Sequence, residues 1–169
     1  MYGVGDHFPS FSLNAVDAKN QMITIESSDQ KGWSVVYFYP KDFTFICPTE
    51  ISEMDKLIDE GVSVFGISGD NEFCKLNWKL SNELISGIRH PLVADTGLAL
   101  SSELGIVDDS EGVCLRATFI INEEGIIQHV SVNALDTGRN VNEVIRTLKG
   151  LQSGGLTGCS WNPGDEFVA

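Results

Sequence analysis

The sequence predicts an α/β fold, a mixed β-sheet flanked by helices, on three observations. Val35–Tyr39 and Val62–Ile67 are short β-branched and aromatic runs joined by a helical pattern. Arg116–Ile121 and Ile126–Val132 are apolar runs separated by the turn Asn122-Glu123-Glu124-Gly125. Val141, Val144, Ile145, Leu148 and Leu151 recur at helical spacing near the end of the chain. A strand–helix–strand unit implies parallel pairing through a right-handed crossover, and a tight turn implies antiparallel pairing, so the sheet is mixed.

Taken in order, residues 1–30 mix turn residues with short alternations such as Met22-Ile23-Thr24-Ile25, giving irregular structure with short strands. Val35–Tyr39 is a buried central strand ended by Pro40. Ile51, Met54, Leu57 and Ile58 mark the next helix, and Gly61 stops it. A second helix is expected near 72–86, with Phe73, Leu76, Leu80 and Leu84 as its core stripe and Trp78 on a second covered face. His90–Asp95 reads as an extended link, followed by a short helix near 97–104. Asn140 and Glu143 form a capping box for the last helix. One folded domain, 1–152, is expected, followed by a tail, 153–169, of Gly, Pro and charged residues.

With 11 Lys and Arg against 24 Asp and Glu, the net charge is −13, which disfavours a phosphate-neutralising nucleic-acid surface. No segment approaches the ~18 consecutive apolar residues of a membrane span, and the first residues show no basic region followed by an apolar run. The expected location is the cytoplasm. In a reducing compartment, the four cysteines Cys47, Cys74, Cys114 and Cys159 are either inert small hydrophobes or chemically employed. No CxxC occurs, and His7, His90 and His129 show no metal spacing, so neither a zinc site nor another cofactor is expected.

Cys47 stands out. Proline is tolerated in a helix only within its first turn, so Pro48 places Cys47 at a helix N-terminus just after a strand. Free amides and the helix dipole there favour a thiolate. Phe43, Phe45 and Ile46 are expected to exclude water around it. Thr44, three residues earlier, can offer its hydroxyl to an oxygen held beside the sulfur. The positive charge that a nucleophilic thiolate needs can come from Arg116 or Arg139. Glu50, one turn after Cys47, either holds such an arginine or complements the helix dipole. Cys74 and Cys114 read as buried hydrophobes, with Cys114 a candidate modulator beside Arg116, and Trp78 as packing in the core or near the site.

PKDFTFICPTE, with Pro40, Thr44 and Cys47 in register, resembles the peroxidatic motif of the peroxiredoxins. RATFII, GRNVNEVIR and GCSWNPGD resemble further segments of typical 2-Cys peroxiredoxins of the alkyl hydroperoxide reductase peroxidase-subunit type, in the same order. The resemblance implies a thioredoxin-like fold and a thiol-dependent peroxidase acting on hydrogen peroxide and organic hydroperoxides. It implies that Cys47 attacks the peroxide and becomes a sulfenic acid, that Arg116 and the Cys47 amide polarise the peroxide, that Thr44 orients it, and that Pro40 shields the thiolate. It further implies Cys159 as the resolving cysteine of a neighbouring subunit, although Gly158-Cys159-Ser160 stands where family members often show Val-Cys-Pro. The implied unit is a homodimer, often assembled into a decamer, recycled by thioredoxin or a flavoprotein disulfide reductase. No Gly-Gly-Leu-Gly insertion precedes Arg116, and the C-terminal Tyr-Phe helix of oxidation-sensitive eukaryotic members is not expected. A dithiol oxidoreductase on the same fold normally needs CxxC, whereas the third position after Cys47 is Glu50. A non-enzymatic chaperone or redox sensor is the remaining alternative, separated by peroxide consumption.

Overall fold

The N-terminal alternations form a hairpin, β1 (Ser12–Val16) and β2 (Met22–Glu26), in a computed structural model that describes residues 1–169. β3 (Ser34–Phe38) follows, buried at every position. α1 (Cys47–Met54) tightens into a 3-10 turn (Asp55–Glu60), which Gly61 ends at φ 76°, a conformation that costs glycine little. β4 (Ser63–Ser68), α2 (Glu72–Ser81), β5 (Leu92–Ala94) and α3 (Ala99–Leu104) come next. The short pair β6 (Val107–Asp108) and β7 (Val113–Cys114) stands apart from the main sheet. β8 (Arg116–Ile121), β9 (Ile127–Asn133) and α4 (Val141–Ser153) complete the chain.

Seven strands form one sheet in the order β2-β1-β5-β4-β3-β8-β9. β3, β4 and β5 are parallel, and every other pairing is antiparallel. This is the mixed, helix-flanked sheet expected. One face carries a core of Phe38, Phe65, Ile67, Phe119 and Ile121 against Leu100 and Leu104 of α3. Each such side chain, fully buried, contributes about 1.5–3 kcal/mol. On β3, Tyr37 lies across Gly66 of its neighbour β4. A Cβ added to Gly66 would sit 2.6 Å from Tyr37 Cζ, so this close approach requires glycine.

Three expectations are corrected. The hairpin of residues 12–26 and the extended link at 92–94 are strands of the main sheet, joined through β1–β5 pairing. α2 ends at Ser81 rather than near 86, because Asn82 turns extended and its side chain accepts from Leu84 N. The stripe Phe73, Leu80 and Leu84 faces solvent in the single chain, while Lys75, Trp78 and Lys79 form the buried face.

The chain divides into two compact units, residues 1–139 and 140–169. In the second, Asn140 caps α4 by accepting from Glu143 N at 3.2 Å. Gly154 ends the helix at φ 69°. The remaining chain folds on itself: Phe167 stacks on Trp161, Val168 N donates to Leu156 O at 2.9 Å, and Arg146 donates to Trp161 O at 2.9 Å.

Candidate active site

Cys47 is the first residue of α1, with Pro48 directly behind it. Pro48 has no N–H, and the amides of Thr49 and Glu50 both bond Ile46 O, at 3.0 and 3.2 Å. The Cys47 N–H is the remaining donor of that turn. The thiol is only 1% exposed.

Arg116 opens β8, which pairs with β3, so the strand register brings it beside the start of α1. Its Nη1 donates to Cys47 Sγ at 3.3 Å, and its Nε donates to Leu135 O at 2.7 Å. Glu50 holds two arginines at once. Oε1 accepts from Arg116 Nη1 in a very short contact, and Oε2 accepts from Arg139 Nε at 2.8 Å and Arg139 N at 3.0 Å. Arg139 also donates to Ala117 O at 2.7 Å, Thr118 Oγ1 at 3.2 Å and Phe38 O at 2.5 Å, and it lies over the Tyr37 ring at 5.1 Å. Burial works to lower the Arg116 value, but the Cys47 sulfur and the Glu50 carboxylate outweigh it and raise it. One carboxylate against two guanidinia leaves net positive charge, which suits an anionic sulfur.

Sulfur, guanidinium, Pro40 and Thr44 line a cleft of about 160 Å³, together with Lys41, Glu111, Val113 and Leu135. At ~30 Å³ per water this is about five waters' worth of room, enough for a small peroxide group and its nearest atoms. A second cleft of about 220 Å³ lies at the opposite ends of β3 and β8, walled by Phe8, Ser34, Phe65 and Asn122. It holds no cysteine; the side chains that could react there are the hydroxyls of Ser10, Ser27, Ser28 and Ser34 and the His7 ring.

The structure thus brings Pro40, Thr44, Cys47, Glu50, Arg116 and Arg139 together. Arg116 is only 5% exposed, as is its partner Glu50. Three expectations are corrected. Phe43 and Phe45 do not shield the sulfur: Phe45 is 96% exposed, and Phe43 lies over Trp78 at 5.9 Å. Thr44 Oγ1 donates to Lys41 O at 2.8 Å, so its proton faces the loop here while the residue walls the cleft. Cys114 does not share the Arg116 strand. It sits in β7, where its Sγ donates to Tyr39 O at 2.9 Å and burial pushes the thiol up to about 12. Trp78 backs the loop before Cys47 and touches Tyr39. Cys74 is half-buried, and its thiol is pushed up to about 11, by burial first and then by Asp42 and Asp70. Cys159 is exposed in the second unit, 3.8 Å from Ser160 Oγ.

Two buried polar groupings escaped the sequence. Asp55 bonds His90 Nδ1 at 2.7 Å, and Tyr37 Oη bonds Nε2 at 2.6 Å, which assigns the Nδ1–H tautomer to a neutral His90. Burial lowers the His90 value, in keeping with that neutral ring. Asp42, Ser68, Lys75 and Tyr39 form the other. Asp42, Asp70 and Cys74 could also converge on a metal ion, but the Lys75 ammonium already meets Asp42 and fills the cation's place. No single residue type signals either grouping, since the partners lie far apart in sequence.

A model of the AhpC/TSA family matches residues 4–130. The chain is 40% identical to alkyl hydroperoxide reductase C of Mycolicibacterium smegmatis, covering 98% of this chain and 92% of that one. It is 39% identical to the putative peroxiredoxin YkuU of Bacillus subtilis, covering 98% and 97%. Among solved structures, the reduced 2-Cys peroxiredoxin of Plasmodium vivax superposes with a TM-score of 0.91 at 32% identity, over 99% of this chain and 93% of that one. AhpC of Mycobacterium tuberculosis gives 0.87 at 36% identity, over 96% and 99%.

Proposed function

Given that this chain belongs to the AhpC/TSA family and is a peroxiredoxin enzyme, reducing peroxides at the expense of thiols, we propose that Cys47 is its peroxide-reactive cysteine. The observation that carries the assignment is the Arg116 guanidinium, 3.3 Å from a sulfur that opens onto a small cleft at a helix start. The Cys47 thiolate attacks one peroxide oxygen. The O–O bond breaks, and the other oxygen leaves as water or alcohol after taking a proton. Sulfur gains an S–O bond and loses two electrons, becoming a sulfenic acid. Arg116 stabilises negative charge first on sulfur and then on the leaving oxygen, and Glu50 and Arg139 hold it in place. Pro40 and Thr44 bound the space the peroxide enters.

Cys159 of a neighbouring subunit then condenses with the sulfenic acid, releasing water and leaving a Cys47–Cys159 disulfide. A dithiol reductant, thioredoxin or a flavoprotein disulfide reductase system, restores both thiols. In this reading residues 1–152 are the peroxidase domain and 153–169 the tail that carries Cys159. Exposed Phe43, Phe45, Phe73, Leu80 and Leu84 supply apolar surface for subunit association and support a dimer that assembles further, toward a decamer. No helix is long and apolar enough to cross a membrane, and the proposed location is the cytoplasm.

Oxidised protein should run as a covalent dimer on a non-reducing denaturing gel, and Cys159→Ser should not, while still consuming about one peroxide per site. Cys47→Ser should consume none. A linkage mapped within one chain would remove the intersubunit step. A Cys47→Ser protein with full peroxidase turnover would remove the whole assignment.

A further inference from the structure

The segment between β3 and α1 is pinned at Asp42. Its carboxylate meets Lys75 Nζ at 3.3 Å through both oxygens and accepts from Ser68 Oγ at 2.9 Å. Its backbone N–H donates to Asp70 Oδ2 at 2.7 Å. Lys75 is fully buried in α2, and its ammonium also reaches Ser68 Oγ at 2.5 Å and Tyr39 Oη at 3.2 Å. Three N–H donors thus meet three partners. The next residue, Phe43, adopts φ 58° with its ring against Trp78 of the same helix. The loop is therefore tied to β4 and α2, and neither Asp42 nor Lys75 lines the cleft at the sulfur. A thiol that is 1% exposed cannot meet a second thiol in place, because bridged Cα atoms must come within about 4.4–6.8 Å. The start of α1 has to swing outward, and Asp42 is the buried tie in the short segment just before it.

We propose that the buried Lys75–Asp42 pair is a latch on the Cys47 loop: two positioning residues that keep the arrangement closed for the peroxide step and set how often the oxidised sulfur is released to a second thiol. The inference rests on Cys47 being the peroxide-reactive cysteine. The peroxide step uses the closed form, which is the major population. Capture uses the open form: the sulfenic acid loses its oxygen as water while the incoming thiol sulfur forms the S–S bond, and no further oxidant is needed. Loosening the latch multiplies the minor, open population and leaves the major one nearly unchanged, so the two steps respond differently. The two partners are also unequal. Lys75→Met strands a carboxylate in an apolar setting, and the carboxylate escapes to water with its loop. Asp42→Asn strands an amine whose value burial already lowers, so it can shed its proton and stay bonded to Ser68 and Tyr39.

The test uses the whole chain with Cys159→Ser, so that the sulfenic acid persists, and thionitrobenzoate as the capturing thiol, followed by its absorbance. A first stopped-flow mixing with hydrogen peroxide gives the oxidation rate, and a second with thionitrobenzoate gives the capture rate. Adding Lys75→Met should raise capture about tenfold or more and leave oxidation within about twofold, and Asp42→Asn should raise capture by less. Capture unchanged in folded Lys75→Met overturns the latch. So does a parallel fall of both rates, the signature of a pair that only stabilises the fold. Should Lys75→Met fail to fold, Asp42→Asn decides: increased capture supports the latch and unchanged capture overturns it. If the Cys159→Ser parent consumes no peroxide at Cys47, the first mixing shows it, and the reading of Cys47 falls before the latch is touched.

Discussion

Replacing Glu50 with glutamine keeps the side chain's shape and removes one charge from between two buried arginines. It also turns one acceptor into an NH2 group that faces a guanidinium. Side-chain exposure is 3% at Glu50, 5% at Arg116 and 4% at Arg139, so water screens almost none of this. Removing one partner of a buried ion pair costs about 3–5 kcal/mol. The lower end applies, because Arg116 keeps Leu135 O and Arg139 keeps Ala117 O and Phe38 O. At ~2–4 °C per kcal/mol for a chain of this size, a loss of ~3 kcal/mol lowers Tm by about 6–12 °C. The peroxide step suffers separately. With Glu50 neutral, the Arg116 guanidinium can pivot about its Nε–Leu135 O bond and withdraw Nη1 from the sulfur. Loss of one such donor slows a reaction by about 10²–10³, and displacement rather than deletion puts the expected loss near 10². Thermal melting and stopped-flow peroxide oxidation on the same Glu50→Gln protein measure both effects. A Tm within about 2 °C of the parent, with an oxidation rate within about threefold, would show that Glu50 clamps neither arginine.

Other expectations bear on groups away from the sulfur. Burial opposes ionisation of Asp55, but hydrogen bonds from His90 and Arg89 overcome it and hold the carboxyl at about 2, below its ordinary 3.8. Its stabilisation is therefore full above about pH 4 and disappears as pH falls toward 2, worth about 1–2 kcal/mol after solvent screening. The Tm gap between wild type and Asp55→Asn should close across that window, and a gap that stays constant there would refute the linkage. In reduced Cys47→Ser protein, alkylation near neutral pH should modify exposed Cys159 first and Cys74 slowly, and reach Cys114 only on unfolding, since that thiol is buried and pushed up to about 12. Peptide mapping over time checks the order, and early labelling of Cys114 would contradict its bond to Tyr39 O. Phe45→Asp should shift sedimentation toward smaller species without changing the thermal unfolding of the subunit; unchanged assembly would mean this exposed ring is not at a contact.

What the sequence revealed follows the range of the interactions involved. Pro48 located the start of α1 because proline acts on its own turn, and Asn140 with Glu143 located α4 because a cap is closed within three residues. β3 was legible because a strand buried on both faces must be apolar throughout. Arg116 and Lys75 were not legible as buried residues. Their carboxylate partners lie 66 and 33 residues away, and no local pattern links them. The apolar stripe of α2 misled for a different reason. Apolar periodicity marks a surface that leaves water, but Phe73 and Leu80, with Leu84 past the helix end, are not the surface covered by the chain's own core. The buried face is instead built from Trp78 and two lysines that bury their methylene stems, with Lys79 donating to Asp17 O at 2.8 Å.

Gly66 carries no chemistry and lies one strand away from β3, yet its missing side chain reaches the reacting centre. Tyr37 occupies the space a Cβ would need, its hydroxyl is fixed by His90, and its ring face supports Arg139. A single methyl group there has nowhere to go but into the ring. The ring in turn cannot shift without tilting the arginine that holds Glu50, and through Glu50 the guanidinium at the sulfur. A side chain at this position is thus costly for reasons that no inspection of the cleft would reveal. Saturation mutagenesis at residue 66, scored by survival under peroxide in cells that depend on this protein, should return glycine alone; a tolerated alanine would mean that Tyr37 has a second resting place.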